Sequence, residues 1–149
     1  MPRIRFPGIL AIAAVSAILT AGTVSAGETV PGPVPAEVLR VIDGDTIEVA
    51  AFIWLGQRVR VRVRLEGIDT PELRGQCASE RELARQAKDL VSRYTEGQSV
   101  SLYGIHYGKY AGRIVARVQL GGGETLAMLL LRAGLAHEYD GGKRDGWCD

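Results

Sequence analysis

Between residues 38 and 120 the apolar positions of this chain mostly follow a two-residue period, broken once by a helical one. Residues 58–65 give the clearest case. Val59, Val61, Val63 and Leu65 alternate with Arg58, Arg60, Arg62 and Arg64, the pattern of a half-buried strand with a basic outer face. The outer arginines read as a solvated face that at most steers a polyanion locally. Two further β-branched runs, residues 38–42 and 46–52, flank Asp43-Gly44-Asp45, which is a turn signal. From Ser79 the period changes: Leu83, Ala87, Leu90, Val91 and Tyr94 recur at helical spacing, Ser79 and Glu82 have capping-box spacing, and Gly97 follows the end. Strand-like runs return at residues 99–103 and 114–120, joined by a Gly/Tyr-rich loop. A short apolar helix over about residues 124–133 then ends at Gly134.

Three strands, a helix, two strands and a helix predict an α+β fold: a five-stranded OB-type barrel with one helix after strand 3 and another near the C-terminus. No internal repeat or second domain is visible. The domain is expected over residues 37–149. Residues 27–36, with Pro31, Pro33 and Pro35 in alternation, read as an extended linker.

The first residues change how the rest is read. Arg3 and Arg5 precede an uncharged, mostly apolar stretch over residues 8–24, and Val24-Ser25-Ala26 stand before Gly27. These are the parts of a signal peptide cleaved after Ala26, so a periplasmic or secreted protein is expected. An uncleaved membrane anchor is the alternative, although the run falls just short of a spanning helix. The whole chain has 18 Lys+Arg and 17 Asp+Glu. Losing Arg3 and Arg5 leaves 16 basic residues against the same 17 acids, so bulk electrostatics cannot hold a nucleic acid, and any such contact needs a few placed cations. In an oxidising compartment Cys77 and Cys148, the only two cysteines, are expected to pair. Two free buried thiols are the other possibility. With about 70 residues between them, the bridge removes roughly 4 kcal/mol of unfolded-chain entropy.

Three segments carry candidate chemistry: Asp43-Gly44-Asp45-Thr46, then Arg64 to Glu72 (RLEGIDTPE), then Lys109 to Arg113 (KYAGR). A hairpin between the second and third strands sets Asp45 and Asp69 at the same rim. With the backbone carbonyl of Thr70 they form an all-oxygen site suited to Ca²⁺ or another hard cation. Arg64 and Arg113 supply guanidinium forks that match phosphate oxygens. Glu72, three residues after Asp69, is the candidate general base. Taken one segment at a time, the acids also fit ordinary turn and loop positions.

Together, in this order, the segments resemble the staphylococcal nuclease (thermonuclease) family over nearly all of residues 36–140. The resemblance implies an OB barrel and a Ca²⁺-dependent phosphodiesterase that cleaves DNA and RNA with little sequence preference, leaving 3′-phosphates. It assigns Asp45, Asp69 and Thr70 to the metal, with other divalent cations possible. Arg64 and Arg113 clamp phosphate, Glu72 acts as the base, and Asp43 is a nearby acid. Lys109, Tyr110 and Tyr139 contact substrate. The chain departs from the family in three places. Gly108 stands where an acid often precedes the Lys-Tyr pair, KYAGR is one residue longer than Lys-Tyr-Gly-Arg, and the stretch after Tyr139 has no room for the longer C-terminal helical region. A Cys77–Cys148 bridge pins that stretch near Glu72. The expected protein is a monomer acting on DNA and RNA, meeting a membrane only if residues 1–26 remain. The alternative is a non-catalytic OB module that binds nucleic acid or protein.

Overall fold

The computed structural model describes residues 27–109 and 111–148. Residues 1–26, expected to be a signal peptide, and Tyr110 lie outside the described residues. The elements are β1 (Thr29–Val30), β2 (Val34–Val41), β3 (Thr46–Trp54), β4 (Gln57–Leu65), β5 (Ile68–Asp69), α1 (Ala78–Thr95), β6 (Ser99–Tyr107), β7 (Arg113–Gln119), α2 (Leu126–Arg132) and β8 (His137–Glu138).

Five long strands close into a barrel in the order β6-β2-β3-β4-β7, with β7 returning to β6. All neighbours are antiparallel except β4 and β7, which run parallel. This is the OB arrangement expected from the pattern, with α1 between the third and fourth barrel strands. Ile47, Val49, Val63, Leu65, Leu102 and Val118 fill the interior from alternate strand positions. Ala87 and Val91 of α1, with Leu126 and Leu130 of α2, join the same core.

Several boundaries differ from the sequence pattern, each for a local reason. Residues 27–36 are extended but not a free linker: β1 pairs with β6, and β2 already begins at Val34. At Val34 and Pro35 the strand has registered partners on β6 while the β3 register starts at Ala36. A proline is tolerated at such an edge-like position. β6 continues past Tyr103 to Tyr107 because Gly104, with φ of 60°, carries an irregularity that shifts the register between Tyr103 and His106. α1 is capped by Cys77, not by Ser79: Cys77 is extended and its sulfur accepts from the Glu80 N–H at 3.4 Å. α2 is capped by Thr125, whose hydroxyl accepts from the Met128 N–H at 3.2 Å.

The alternation in β4 also holds only in part. Val63 and Leu65 are buried, but Val59 is exposed. The β2–β3 pairing ends at Ala51 and the β4–β7 pairing begins at Arg62. Residues 52–58 therefore extend beyond the barrel as a two-stranded arm. The burial of β4 falls off from Val63 through half-buried Val61, which still packs on the core, to exposed Val59.

Candidate active site

The chemistry-bearing segments converge where β3 begins and β4 ends. Thr46 pairs with Arg64, and the Leu65 N–H donates to the Asp45 carbonyl at 2.8 Å. This fixes Asp45 beside the C-terminal end of β4. Arg64 Nη1 is hydrogen-bonded to Asp45 Oδ2, while Nη2 lies 3.2 Å from Asp69 Oδ1 and 3.3 Å from the Ile68 carbonyl. One guanidinium thus holds two carboxylates that are 5% and 4% exposed. Charges buried this deeply persist only when paired and hydrogen-bonded.

The loop before β3 completes the arrangement. Asp45 Oδ1 accepts from the Thr46 hydroxyl at 2.8 Å, and the Asp45 N–H donates to Asp43 Oδ1 at 3.1 Å. Burial, and then the neighbouring Asp45 carboxylate, push the Asp43 carboxyl up to about 6. Gly44 is needed for packing. A Cβ there would come within 2.8 Å of the Ala87 methyl and 2.9 Å of the Thr70 hydroxyl. The loop is therefore pressed against α1 and against buried Thr70.

Glu72 follows Pro71 and is exposed. Its backbone is anchored by Glu80, a buried acid in the first turn of α1. Glu80 Oε1 accepts from the Glu72 N–H at 3.3 Å and Oε2 from the Gln76 N–H at 2.8 Å. The sequence reading did not single out Glu80.

A second cation reaches the acids from the far end of the chain. Asp69 pairs with His137 across the small β5–β8 sheet, and the Tyr139 N–H donates to the Gly67 carbonyl at 2.9 Å. Beyond this point Trp147 stacks on His137 with ring centroids 3.8 Å apart, and Cys148 is disulfide-bonded to Cys77. The pinned tail delivers Arg144. Its Nε lies 3.2 Å from Asp69 Oδ1 and its Nη1 2.8 Å from Glu72 Oε1. No sequence motif marks Arg144, and the cysteine pair is the one signal that brings its segment here.

Arg64 and Arg144 also line an open cleft of about 810 Å³, shared with His106, Lys109, Arg113 and Tyr139. Arg113 opens β7 opposite Arg62. Lys109 Nζ and the Tyr139 hydroxyl donate to the Gly141 and Gly142 carbonyls at 3.4 and 3.2 Å. The structure therefore joins Asp45, Arg64 and Asp69 directly, sets Asp43, Thr70 and Glu72 around them, and places Arg113, Lys109 and Tyr139 along the cleft. Asp45 and Asp69 converge on the Arg64 guanidinium, and with Asp43, Glu72 and the Thr70 carbonyl nearby the groups around it offer only oxygen donors. That set fits a hard divalent cation.

A family model described as staphylococcal nuclease homologue matches residues 62–145. The match begins within β4, so Asp43 and Asp45 lie before it. An uncharacterized endonuclease of Escherichia coli is 33% identical over 103 residues, covering 69% of this chain and 60% of that protein. A micrococcal nuclease of Shigella flexneri is 37% identical over 107 residues, covering 69% of this chain and 57% of that protein. The chain thus spans about three fifths of the length of these curated relatives.

Proposed function

This chain belongs to the staphylococcal nuclease homologue family, and we propose that it is a metal-dependent nuclease hydrolysing phosphodiester bonds of DNA and RNA with low sequence specificity. The observation that carries this reading is the Arg64 guanidinium, bound to both Asp45 and Asp69 at the edge of a cleft that Arg113 also lines. Buried carboxylates and phosphate-matching arginines side by side are the two halves of a phosphoryl-transfer site.

Asp45, Asp69 and the Thr70 carbonyl would hold Ca²⁺ or another divalent cation, which when bound supplies positive charge against the phosphate. The two arginines orient the phosphate and offset the negative charge that grows on its oxygens. Glu72 takes a proton from the attacking water. The new bond forms between that water oxygen and phosphorus. The bond that breaks runs to the 5′ oxygen, which takes a proton from solvent and leaves as the 5′ alcohol, with the phosphate kept on the 3′ side. Lys109 and Tyr139 contact the substrate within the cleft. The names of the two relatives agree with nucleolysis, and the disulfide suits export through residues 1–26 into an oxidising compartment.

The test is hydrolysis of single-stranded DNA and of RNA by residues 27–149, with Ca²⁺ or with a chelator, beside Glu72→Ala and Arg113→Ala. Cleavage that needs the cation and falls by roughly two orders of magnitude or more in each variant is expected. A folded protein that binds DNA without cutting it under any divalent cation would replace the enzyme with a binding module. The mass of the exported chain checks the cleavage site, which is expected to leave Gly27 first.

A further inference from the structure

The arm formed by the ends of β3 and β4 carries a surface that nuclease chemistry does not use. Phe52, Ile53, Trp54 and Leu55 follow one another at its tip, and the last three are 58%, 76% and 90% exposed. Trp54 pairs with Gln57, so Leu55 and Gly56 form the turn itself, with Gly56 at a φ of 72°. Scattered exposed apolar residues are ordinary, whereas a contiguous group at a protruding end marks a contact surface. The ladder pairs run out to Trp54 and Gln57 with a register shift at Ile53, so the tip is held as a hairpin.

Behind the tip the arm becomes basic. Arg58 pairs with Phe52, Arg60 with Ala50 and Arg62 with Glu48 across the hairpin. The Arg58 guanidinium lies 4.5 Å from the centre of the Phe52 ring and makes a loose 3.4 Å contact with exposed Glu37. Arg40 and Arg60 share Glu48, at 3.2 and 2.8 Å. Arg62 makes no ion pair among the described residues. Four arginines thus face two glutamates. Glu48 is buried under Arg40 and Arg60, but all the guanidinium groups stay largely in solvent, and the exposed Arg58–Glu37 pair is weak enough to exchange for another anion.

We propose that this arm is a docking surface for an anionic lipid bilayer, with Phe52 to Leu55 entering the headgroup–acyl boundary and Arg58, Arg60 and Arg62 meeting lipid phosphates. The dimensions agree. Three residues of strand from Leu55 back to Phe52 span about 10 Å, against the roughly 5–10 Å to which interfacial apolar groups sink. Arg58 then lies at headgroup level, with Arg60 and Arg62 further back. An exposed Trp suits the interface, having an apolar body and one polar tip. No helix among the described residues is long and apolar enough to cross a membrane.

The same arginines invite comparison with a single-stranded nucleic-acid track. Such a track needs free rings for bases to stack on. Here Ile53 and Leu55 are aliphatic and the Phe52 ring is covered by Arg58, which leaves Trp54 alone. The composition of the tip therefore favours lipid.

The experiment uses residues 27–149, which contain every described element. Vesicles of neutral phosphatidylcholine are compared with vesicles containing one third phosphatidylglycerol. Sedimentation and Trp fluorescence are read for the wild type, for Trp54→Ser/Leu55→Ser, and for Arg58→Gln/Arg60→Gln/Arg62→Gln. Binding to the anionic vesicles with a blue shift is expected, weakened roughly tenfold or more by either multiple variant. Unchanged melting temperatures and oligonucleotide hydrolysis should show that the fold and site are intact. The proposal is overturned if the wild type ignores anionic vesicles or if the tip variant binds them equally well. It is also overturned if the tip variant loses only affinity for single-stranded DNA, or only a concentration-dependent dimer.

Discussion

The two ends of the β3–β4 hairpin follow opposite rules. At its base, charged groups are buried: Asp45 and Asp69 are almost closed to solvent and share Arg64, which reaches the edge of the cleft. At its tip, apolar groups are exposed, and Leu55 is almost wholly in solvent. One pair of strands thus inverts the usual partition of polar outside and apolar inside at both ends. Both inversions cost stability in the isolated fold. Burying charge requires a partner of opposite sign, and exposing Ile, Trp and Leu forgoes the gain from removing them from water. Departures from local consistency of this kind tend to mark function. The base turns toward a phosphate and a cation, and the tip toward an apolar partner.

The largest expected effect comes from removing the cation at the base. Arg64→Ala leaves Asp45 and Asp69 buried without the guanidinium they share. In chelator this should destabilise the fold by about 3–5 kcal/mol in urea denaturation. Millimolar Ca²⁺ should restore part of the loss, because the two carboxylates would then hold a different positive charge. A loss below about 1 kcal/mol would mean that the acids relax into solvent, and that the base is less committed to buried charge than the contacts imply.

The next test sets the same residue type at the two ends. Leu65→Ala empties a site inside the barrel and should cost about 2–5 kcal/mol. Leu55→Ala, on the same hairpin, should change stability by no more than about 0.5 kcal/mol. Similar values at both positions would show the tip to be packed in solution, and the contrast between the ends would disappear.

How much of this contrast was legible in the sequence depends on how local its causes are. The barrel was legible because strand alternation and the Asp-Gly-Asp turn are set by neighbouring residues. The placing of Asp45 beside the end of β4 that carries Arg64 followed from one hairpin register, although the ion pair between them did not. The arm was not legible as an arm. The valines at 59, 61 and 63 look alike in sequence, and only the points where β2 and β7 stop pairing decide that Val63 is buried and Val59 is not. Arg144 was less legible still. It reaches Asp69 through the β5–β8 pairing and through a disulfide closed across 71 residues. The start of β2 was hidden by Pro33 before it and Pro35 within it, and the continuation of β6 by Gly104. Both are places where a residue that usually ends a strand is absorbed by an edge or a bulge.

Arg144 supplies a smaller test of the base. It brings positive charge to Asp69 and Glu72, so a divalent cation must enter against it. Arg144→Gln should tighten Ca²⁺ binding by roughly three- to tenfold in titration calorimetry, since the guanidinium is half exposed and partly screened. Unchanged or weaker affinity would make Arg144 a support for the acids and not a competitor with the cation. The tip offers no equivalent: its substitutions should leave cation affinity where it was.

The last test separates the ends by pH. Asp43 has a folded-state value of about 6 against an ordinary 3.8, raised first by burial and second by Asp45. The folded chain therefore keeps a proton on Asp43 between these values, while the unfolded chain has released it. Where the folded state binds more protons, stability falls as pH rises. The contribution of Asp43 is therefore favourable below about pH 4, is lost progressively up to about pH 6, and is constant above that. Asp43→Asn has no proton to lose. The stability of the metal-free wild type relative to this variant should then decline across the window and level off above it. Urea midpoints measured for both proteins from pH 4 to 7 in chelator provide the reading. A flat difference would mean that the Asp43 carboxylate is solvated well enough to titrate normally. Phe52 to Leu55 carry no titrating group, so the difference between Trp54→Ser/Leu55→Ser and wild type should stay level over the same range. A slope there would show that tip and base are coupled along the hairpin, not two independent ends.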